Sequence, residues 1–315
     1  METISETSKT LQTLSLDLAH VVEQVGTAVV AVNARRHLSS SGVYWRDGVI
    51  VTAAHTIKQT EDISVVLPSG QIVAASLAGA DPTTDLAVLR VDSSELSVAH
   101  FGDPSQLKVG HLVLAVGRGA QRGLNAALGI IGVLSGAWRT LRGGSVDQFI
   151  GLDLELHPGA TGGPLTDSRG SVLGINTSGL SRGVVITIPV STVDRVVAQL
   201  LEKGDIGRGY LGLGMRRIRI PEDLNRTLQL SADLGLIVLS VDPNGPGRQA
   251  GIVFGDVIVA LERTPVGNIR ELQAFLEPPF VGKTLSVYII RGGRLVDLNI
   301  IVGEQRQRNK QETID

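Results

Sequence analysis

Apolar residues recur at Leu11, Leu14, Leu18, Val21, Val22 and Val25. That spacing is one face of a helix, and it predicts a helix over 9–25 packed on the segment that follows. Gly26 ends it. From Ala28 onward the pattern changes to short apolar runs separated by turn residues. The first run is 28–32. Asp47-Gly48, set between two apolar runs, is a hairpin signal. The second strand of that hairpin runs straight into Ala53-Ala54-His55. Another hairpin pairs 63–67 with 72–77 around Pro68-Ser69-Gly70. Asp85 then opens the run Leu86-Ala87-Val88-Leu89. Short strands at this spacing predict a β-barrel or sandwich.

A second β-rich block covers 108–190, with strands at 113–116, 130–134, 149–152, 172–175 and 184–188. Val193, Val196, Val197, Leu200 and Leu201 then return to helical spacing. They predict a helix over 191–203, capped by Ser191 and stopped by Gly204. Residues 205–208 read as a short polar linker. The last block, 209–304, has its own apolar pattern: strands at 236–241, 285–290 and 295–302, and a helix over 268–277. Residues 305–315 are polar and charged and read as a tail. The expected organisation is a helical segment 1–26, a first domain 27–204, a second domain 205–304 and the tail.

Composition narrows this picture a little. A chain of 315 residues can bury a large core and suggests two domains. Aromatic residues make up 3% and glycine occurs 38 times, which suits many turns and small-residue packing in a mainly β protein. The net charge of −2 implies no polyanion or membrane surface, so no nucleic acid is expected as partner. Without cysteine there are no disulfides and no thiolate metal sites, and no cofactor is expected. No apolar run reaches the ~18 residues of a membrane span. The start Met1-Glu2-Thr3-Ile4-Ser5-Glu6 lacks the basic and apolar blocks of a secretory signal, so the chain reads as cytoplasmic or already processed, and Met1 favours the cytoplasmic reading.

Candidate chemistry gathers on three residues. A hydroxyl is a weak nucleophile at neutral pH and needs a base in hydrogen-bond reach, itself oriented by a carboxylate. The chain offers His55 at the end of Val51-Thr52-Ala53-Ala54, then Asp85, then Thr161 in His157-Pro158-Gly159-Ala160-Thr161-Gly162-Gly163-Pro164-Leu165. The glycines let a loop curl its N–H groups inward, as stabilising an oxyanion requires. This loop and the order His, Asp, hydroxyl resemble the trypsin-fold serine proteases of the HtrA branch. In that family serine stands where this chain has Thr161. The resemblance spans about 10–304. It includes Asp153 before the loop, Gly174-Ile175-Asn176-Thr177 on the cleft strand, and Ile188-Pro189 at the barrel's end. It implies a mainly β fold: a two-barrel trypsin-like domain followed by one PDZ domain of α+β type.

The resemblance also implies roles. His55, Asp85 and Thr161 would be the catalytic triad, and Gly159 and Thr161 would give the oxyanion N–H groups. Ile175 and Asn176 would border the specificity pocket. Glu155, six residues before Thr161, would sit on its floor, either inviting a cationic substrate side chain or paired with Arg118, Arg122, Arg139 or Arg142. In the PDZ block Tyr210-Leu211-Gly212-Leu213 would hold a peptide carboxylate. Ile269, Leu272 and Leu276 would line the groove, although the same three could equally be the helix's core face. The partners implied are unfolded polypeptides and hydrophobic peptide C-termini. A homo-oligomer is possible, but no aromatic residue precedes Tyr44, which argues against the family's trimer. Two functional readings stand open. Thr161 works as a poor nucleophile in an endopeptidase for damaged proteins, or the chain is a non-cleaving pseudoprotease that binds peptides as adaptor or chaperone. A serine parent silenced at this one position is a third.

Overall fold

The alternation resolves into two closed six-stranded barrels and one open sheet in this computed structural model. It describes residues 2–35, 38–93, 95–181, 183–204, 208–276 and 278–305. The chain divides into two compact units, Met1–Ile206 and Gly207–Asp315. Of the linker 205–208, residues 205–207 lie outside the described residues, as does 306–315 of the tail.

The first barrel is built from β1 (Val29–Asn33), β2 (Ser40–Arg46), β3 (Val49–Ala53), β4 (Ser64–Val66), β5 (Ile72–Asp81) and β6 (Leu86–Val91). Val30, Val32, Tyr44, Ile50, Leu67 and Leu89 fill its interior. The second barrel uses β7 (Leu112–Gly119), β8 (Gly123–Ser135), β11 (Phe149–Asp153), β12 (Pro164–Asp167), β13 (Val172–Thr177) and β14 (Val185–Pro189). A small ribbon of β9 (Trp138–Arg139) and β10 (Ser145–Val146) interrupts it. All strand pairs in both barrels are antiparallel, so short turns suffice to join most neighbours. Between the barrels lies a shared apolar layer including Val51, Leu86, Val88, Ile175 and Ile188. The helix α2 (Val190–Lys203) seals that layer with Val193, Val196, Val197 and Leu200, all fully buried. Each such side chain contributes roughly 1.5–3 kcal/mol by leaving water.

The two helices of this unit differ from the expected ones in instructive ways. The first, α1 (Glu2–Gly26), packs Leu18, Val21, Val22 and Val25 on Leu114, Val116 and Leu124. Leu11 and Leu14 stay exposed, at 62% and 44%. The barrel surface meets only the last turns of a helix this long, so the predicted stripe is buried for half its length. Helix α2 begins at Val190, not after a Ser191 cap. Pro189 precedes it without a side-chain cap bond. Proline closes β14 and holds φ at −66°, which lets the helix start directly out of the strand. Its end is as expected: Gly204 takes φ +78° and returns its N–H to Leu200 O at 2.9 Å.

In the second unit β15 (Arg208–Tyr210) pairs with β22 (Gly303–Gln305). The open sheet runs β16 (Leu213–Arg219), β17 (Leu234–Val241), β18 (Val257–Leu261), β20 (Thr284–Arg291), β21 (Arg294–Ile301), with β19 (Thr264–Pro265) attached to β18. Leu236, Val238, Ile258, Val287, Ile289 and Ile300 form its core. Three short helices complete it: α3 (Glu222–Leu228), α4 (Pro246–Gln249) and α5 (Ile269–Ala274). The last is shorter than the predicted 268–277. Asn268 caps it by accepting the Glu271 N–H at 3.1 Å, and Pro278-Pro279 ahead forbids its extension. Asp256 is buried and takes a two-pronged bond from Arg291, at 2.8 and 2.7 Å.

Candidate functional site

The site forms where strand ends of the two barrels converge. His55 sits in the one-turn 3-10 helix Ala54–Thr56 that follows β3. Asp85 sits at the turn between β5 and β6, 1% exposed, with φ +59°. Aspartate tolerates this left-handed conformation better than most residues, and here it turns the carboxylate inward. One carboxylate oxygen accepts the His55 backbone N–H at 2.7 Å and the other meets His55 Nδ1 at 2.6 Å. The second oxygen also accepts the Thr177 hydroxyl, from the last residue of β13. Gly179 N–H in turn donates to Thr177 Oγ1 at 2.9 Å. The Asp85 carboxylate is thus held by His55 and Thr177, with Gly179 behind Thr177, and it commits Nδ1 of His55 as the donor. That leaves Nε2 as the ring's acceptor. Gly179 is required by close approach: a Cβ there would lie 2.5 Å from Asp85 Oδ2 and 2.6 Å from His55 Nδ1.

Thr161 lies on the loop between β11 and β12, on the same side of the barrels. Its hydroxyl bonds to Ser178 Oγ at 3.4 Å, and among the described residues it makes no bond to His55. Ala160 N–H closes on His157 O at 2.9 Å and Gly163 N–H on Ala160 O at 3.0 Å, which curls the loop. Gly159 and Gly162 carry it through φ +91° and +87°. Among the described residues the N–H groups of Gly159 and Thr161 donate to no protein acceptor. Two N–H groups without a protein acceptor among the described residues, on the loop that carries the Thr161 hydroxyl, together with an oriented imidazole, are parts that acyl transfer uses.

The residues expected around the specificity pocket are placed differently from one another. Ile175 is fully buried and belongs to the layer between the barrels. Asn176 is fully buried too. Its Oδ1 accepts Thr187 Oγ1 at 2.8 Å, and its Nδ2 has no partner among the described residues. Glu155 is exposed and in no ion pair among the described residues. The expected burial on a pocket floor is therefore not found. Of the arginines considered as its partners, Arg118 gives its donors to Val29 O and Gly26 O, and Arg142 bonds Pro82 O. An exposed carboxylate keeps its water and needs no partner. Beside Ser178 and Gly179 opens a cavity of about 710 Å³, lined also by Trp138, Leu141, Phe149 and Ile186.

In the second unit, among the described residues, β16 pairs only with β17, which leaves its other edge without a strand there. Leu211 is buried, Gly212 takes φ +71°, and their carbonyls accept Gly247 N–H at 2.7 Å and Asp242 N–H at 2.8 Å. The turn before the open edge is thereby fixed. Tyr210 does not face the edge with its hydroxyl, which donates to Asp242 Oδ2 at 2.6 Å. Leu213 and Leu276 pack at the border of the core. Leu272 is a core residue at 2% exposure, and Ile269 keeps 38% of its surface exposed. The helix thus splits its predicted stripe between core and surface.

Two residues at the site were not singled out from sequence. Thr177 lay inside the quoted Gly174–Thr177 segment, but nothing local marks its hydroxyl for Asp85. Ser178 is one more hydroxyl in a loop.

Residues 40–175 match the trypsin-like peptidase domain family, and residues 209–302 match the PDZ domain family. The chain is similar to the probable periplasmic serine endoprotease DegP-like of Brucella suis biovar 1 (strain 1330), 34% identical over 270 residues, covering 84% of this chain and 52% of that protein. The protein of the same name from Pseudomonas putida (strain GB-1) is 32% identical over 271 residues, covering 84% and 56%. The chain spans about half the length of the curated relatives it matches. Among solved structures it resembles the HtrA-type protease AlgW with decapeptide, TM-score 0.72 at 27% identity over 92% of this chain and 99% of that one. It also resembles the serine endoprotease from Yersinia pestis, TM-score 0.71 at 29% identity over 92% and 98%. The relatives' names overturn the expected cytoplasmic location, since they are called periplasmic. That expectation rested on the polar start, on Met1 and on the lack of an apolar run of membrane-span length. A cysteine-free β protein folds by the same burial in either compartment, so nothing else in the sequence pointed one way. Among the described residues no helix is long and apolar enough to cross a membrane.

Proposed function

This chain belongs to the HtrA-type serine endoproteases, a trypsin-like peptidase domain followed by a PDZ domain, and on that premise we propose that it cleaves unfolded or damaged polypeptides in the periplasm with Thr161 as a slow nucleophile. The observation that carries the reading is the His55–Asp85–Thr177 arrangement, a buried carboxylate that fixes one imidazole nitrogen and frees the other. In the reaction Thr161 Oγ1 attacks the scissile carbonyl as its proton passes to His55 Nε2. The N–H groups of Gly159 and Thr161 hold the oxyanion. His55 then gives the proton to the leaving amine, and water cleaves the threonyl ester by the reverse roles. The methyl group of threonine stiffens χ1 and crowds the attacked carbonyl, which makes the step slower than with serine.

Glu155 is proposed to favour cationic substrate side chains. Its exposure and its lack of an ion pair among the described residues leave it available to them. The open edge of β16 is proposed to take a hydrophobic peptide C-terminus as an added strand, with Leu211, Gly212 and Leu213 holding the carboxylate and Ile269 on the facing wall. Exposed Leu11 and Leu14 on α1 leave apolar surface that a homo-oligomer would cover.

A second reading is favoured by one observation: the Thr161 hydroxyl bonds Ser178 rather than His55. On it the chain binds peptides without cutting them. Labelling with an active-site-directed fluorophosphonate separates the two, with Thr161→Ala as control. An adduct mapped to Thr161 supports cleavage. No adduct at any residue supports the binder.

A further inference from the structure

Ser41 touches the active-site loop at both of the residues proposed above to hold the oxyanion, Gly159 and Thr161. It lies on β2 and is fully buried. Its hydroxyl donates to Gly159 O at 2.8 Å, and its backbone N–H donates to Thr161 O at 3.0 Å. The hydroxyl in turn accepts the Arg118 backbone N–H at 2.8 Å, and its carbonyl accepts Thr52 Oγ1 at 2.6 Å. Every polar group of Ser41 is therefore committed, two of them to this loop and two to the barrels that frame it.

The consequence is geometric. A carbonyl held in place fixes its own peptide plane, and with it the ψ of its residue. Fixing Gly159 O and Thr161 O from one residue fixes the spacing of the segment that carries both N–H groups. Gly159 has no Cβ and a φ of +91°, and the peptide plane of its carbonyl is held on the other side by the Ala160 N–H bond to His157 O at 2.9 Å. Gly162 shows how closely the strand is applied: a Cβ there would overlap Ser41 O and Thr52 Oγ1. The anchor is itself braced. Arg118 is held through its side chain, which donates to Val29 O at 2.6 Å and to Gly26 O at 2.8 Å, the last residue of α1. Burial disfavours the charge of this guanidinium.

We propose that Ser41 is the positioning residue of the oxyanion loop, pinning the carbonyls of Gly159 and Thr161 and thereby the course of the segment that carries the Gly159 and Thr161 N–H groups, with Arg118 bracing it against β1 and the end of α1. The proposal rests on the hydrolytic reading above. Ser41 touches no substrate and moves no proton. Its effect is on the transition state, because the oxyanion exists only there. A misplacement of about 1 Å costs on the order of a hundredfold in rate.

The test uses the full chain in the Thr161→Ser background with fluorescent casein. Ser41→Ala is expected to lower kcat by about a hundredfold with KM within about twofold. Amide hydrogen exchange over 157–163 is expected to rise at least about tenfold, while exchange in the barrel strands stays as it was. Should Ser41→Ala not fold, Ser41→Cys keeps the volume with a weak donor and is expected to give the same pattern, reduced. A kcat within about twofold of the parent overturns the proposal. So does a loss of kcat that comes with equal loss of barrel protection, which is the mark of a merely structural role. If the Thr161→Ser parent does not cleave at all, the hydrolytic reading fails instead. The exchange measurement then decides Ser41 alone: unchanged exchange over 157–163 overturns its role.

Discussion

The hydroxyls of Thr161 and Ser178 face each other at 3.4 Å. The pair joins the loop after β11 to the residue just past β13, so the nucleophile candidate is engaged by a hydroxyl rather than by the imidazole. A long hydroxyl–hydroxyl bond in a solvent-accessible place is weak, about 0.5–1 kcal/mol net. It is enough to bias one rotamer of threonine, and a stiff χ1 has few to choose from. Ser178→Ala removes the competing partner. We expect the rate of fluorophosphonate labelling at Thr161 to rise about two- to fivefold, the change that such a bond energy allows. An unchanged rate in Ser178→Ala means that the Ser178 contact does not govern the nucleophile.

Thr161→Ser removes the methyl group and keeps the hydroxyl. Casein cleavage is expected to rise tenfold or more, on the order of 1.4 kcal/mol of barrier. Cleavage by this variant should fall on acidification, because a protonated imidazole cannot accept the hydroxyl proton. A Thr161→Ser protein as inert as Thr161→Ala rules out the methyl group as the cause.

Thr177→Val keeps the shape of β13 and removes the hydroxyl that donates to Asp85. The buried carboxylate then loses one of its donors. Stability is expected to drop by about 1–3 kcal/mol, and activity in the Thr161→Ser background by about tenfold, since His55 is oriented through Asp85. Urea unfolding and casein cleavage measure the two. Activity at the parental level would show that His55 and its own N–H suffice to hold the carboxylate.

Asp256 is the buried anchor of the second unit, bonded to Arg291 by both oxygens and to Val253 N–H at 2.8 Å. The Arg291 charge is favoured by this partner. Asp256→Ala is expected to cost about 3 kcal/mol, the low end for a broken buried pair, because Arg291 keeps 39% of its side chain exposed. Chemical denaturation of the full chain, followed by exchange within 213–302, checks this. A loss under about 1 kcal/mol would mean that Gly251 O and water satisfy Arg291 without the carboxylate.

The open edge of β16 predicts a preference for free carboxyl ends. Peptides with hydrophobic C-termini should bind the full chain, and amidating them should weaken binding at least about tenfold, since the N–H groups of Leu211, Gly212 and Leu213 lose a charged acceptor. Isothermal titration with matched acid and amide peptides gives the answer. Equal affinity would place recognition elsewhere on the unit.

Strands, turns and the order of the chemical residues were legible in the sequence, because the forces that write them are local. A period of two follows from the pleat, a period of three to four from the helix, and a glycine at positive φ from its missing Cβ. Hence 28–32, Asp47-Gly48 and Gly204 were placed from the sequence alone, and His55, Asp85 and Thr161 stood out by context. Partnership is not local. Ser41 and Gly159 are 118 positions apart, and Thr177 and Asp85 are 92 apart. Which hydroxyl meets which carbonyl depends on how barrels close, so Ser41, Thr177 and Ser178 carried no signal in their neighbours. The same holds for burial. Periodicity gave Leu11 and Leu14 the same standing as Val21 and Val25, and gave Leu272 the same standing as Ile269. Only the packed surfaces decide which of them leave water, because a helix has one apolar stripe but its neighbours cover only the length they reach.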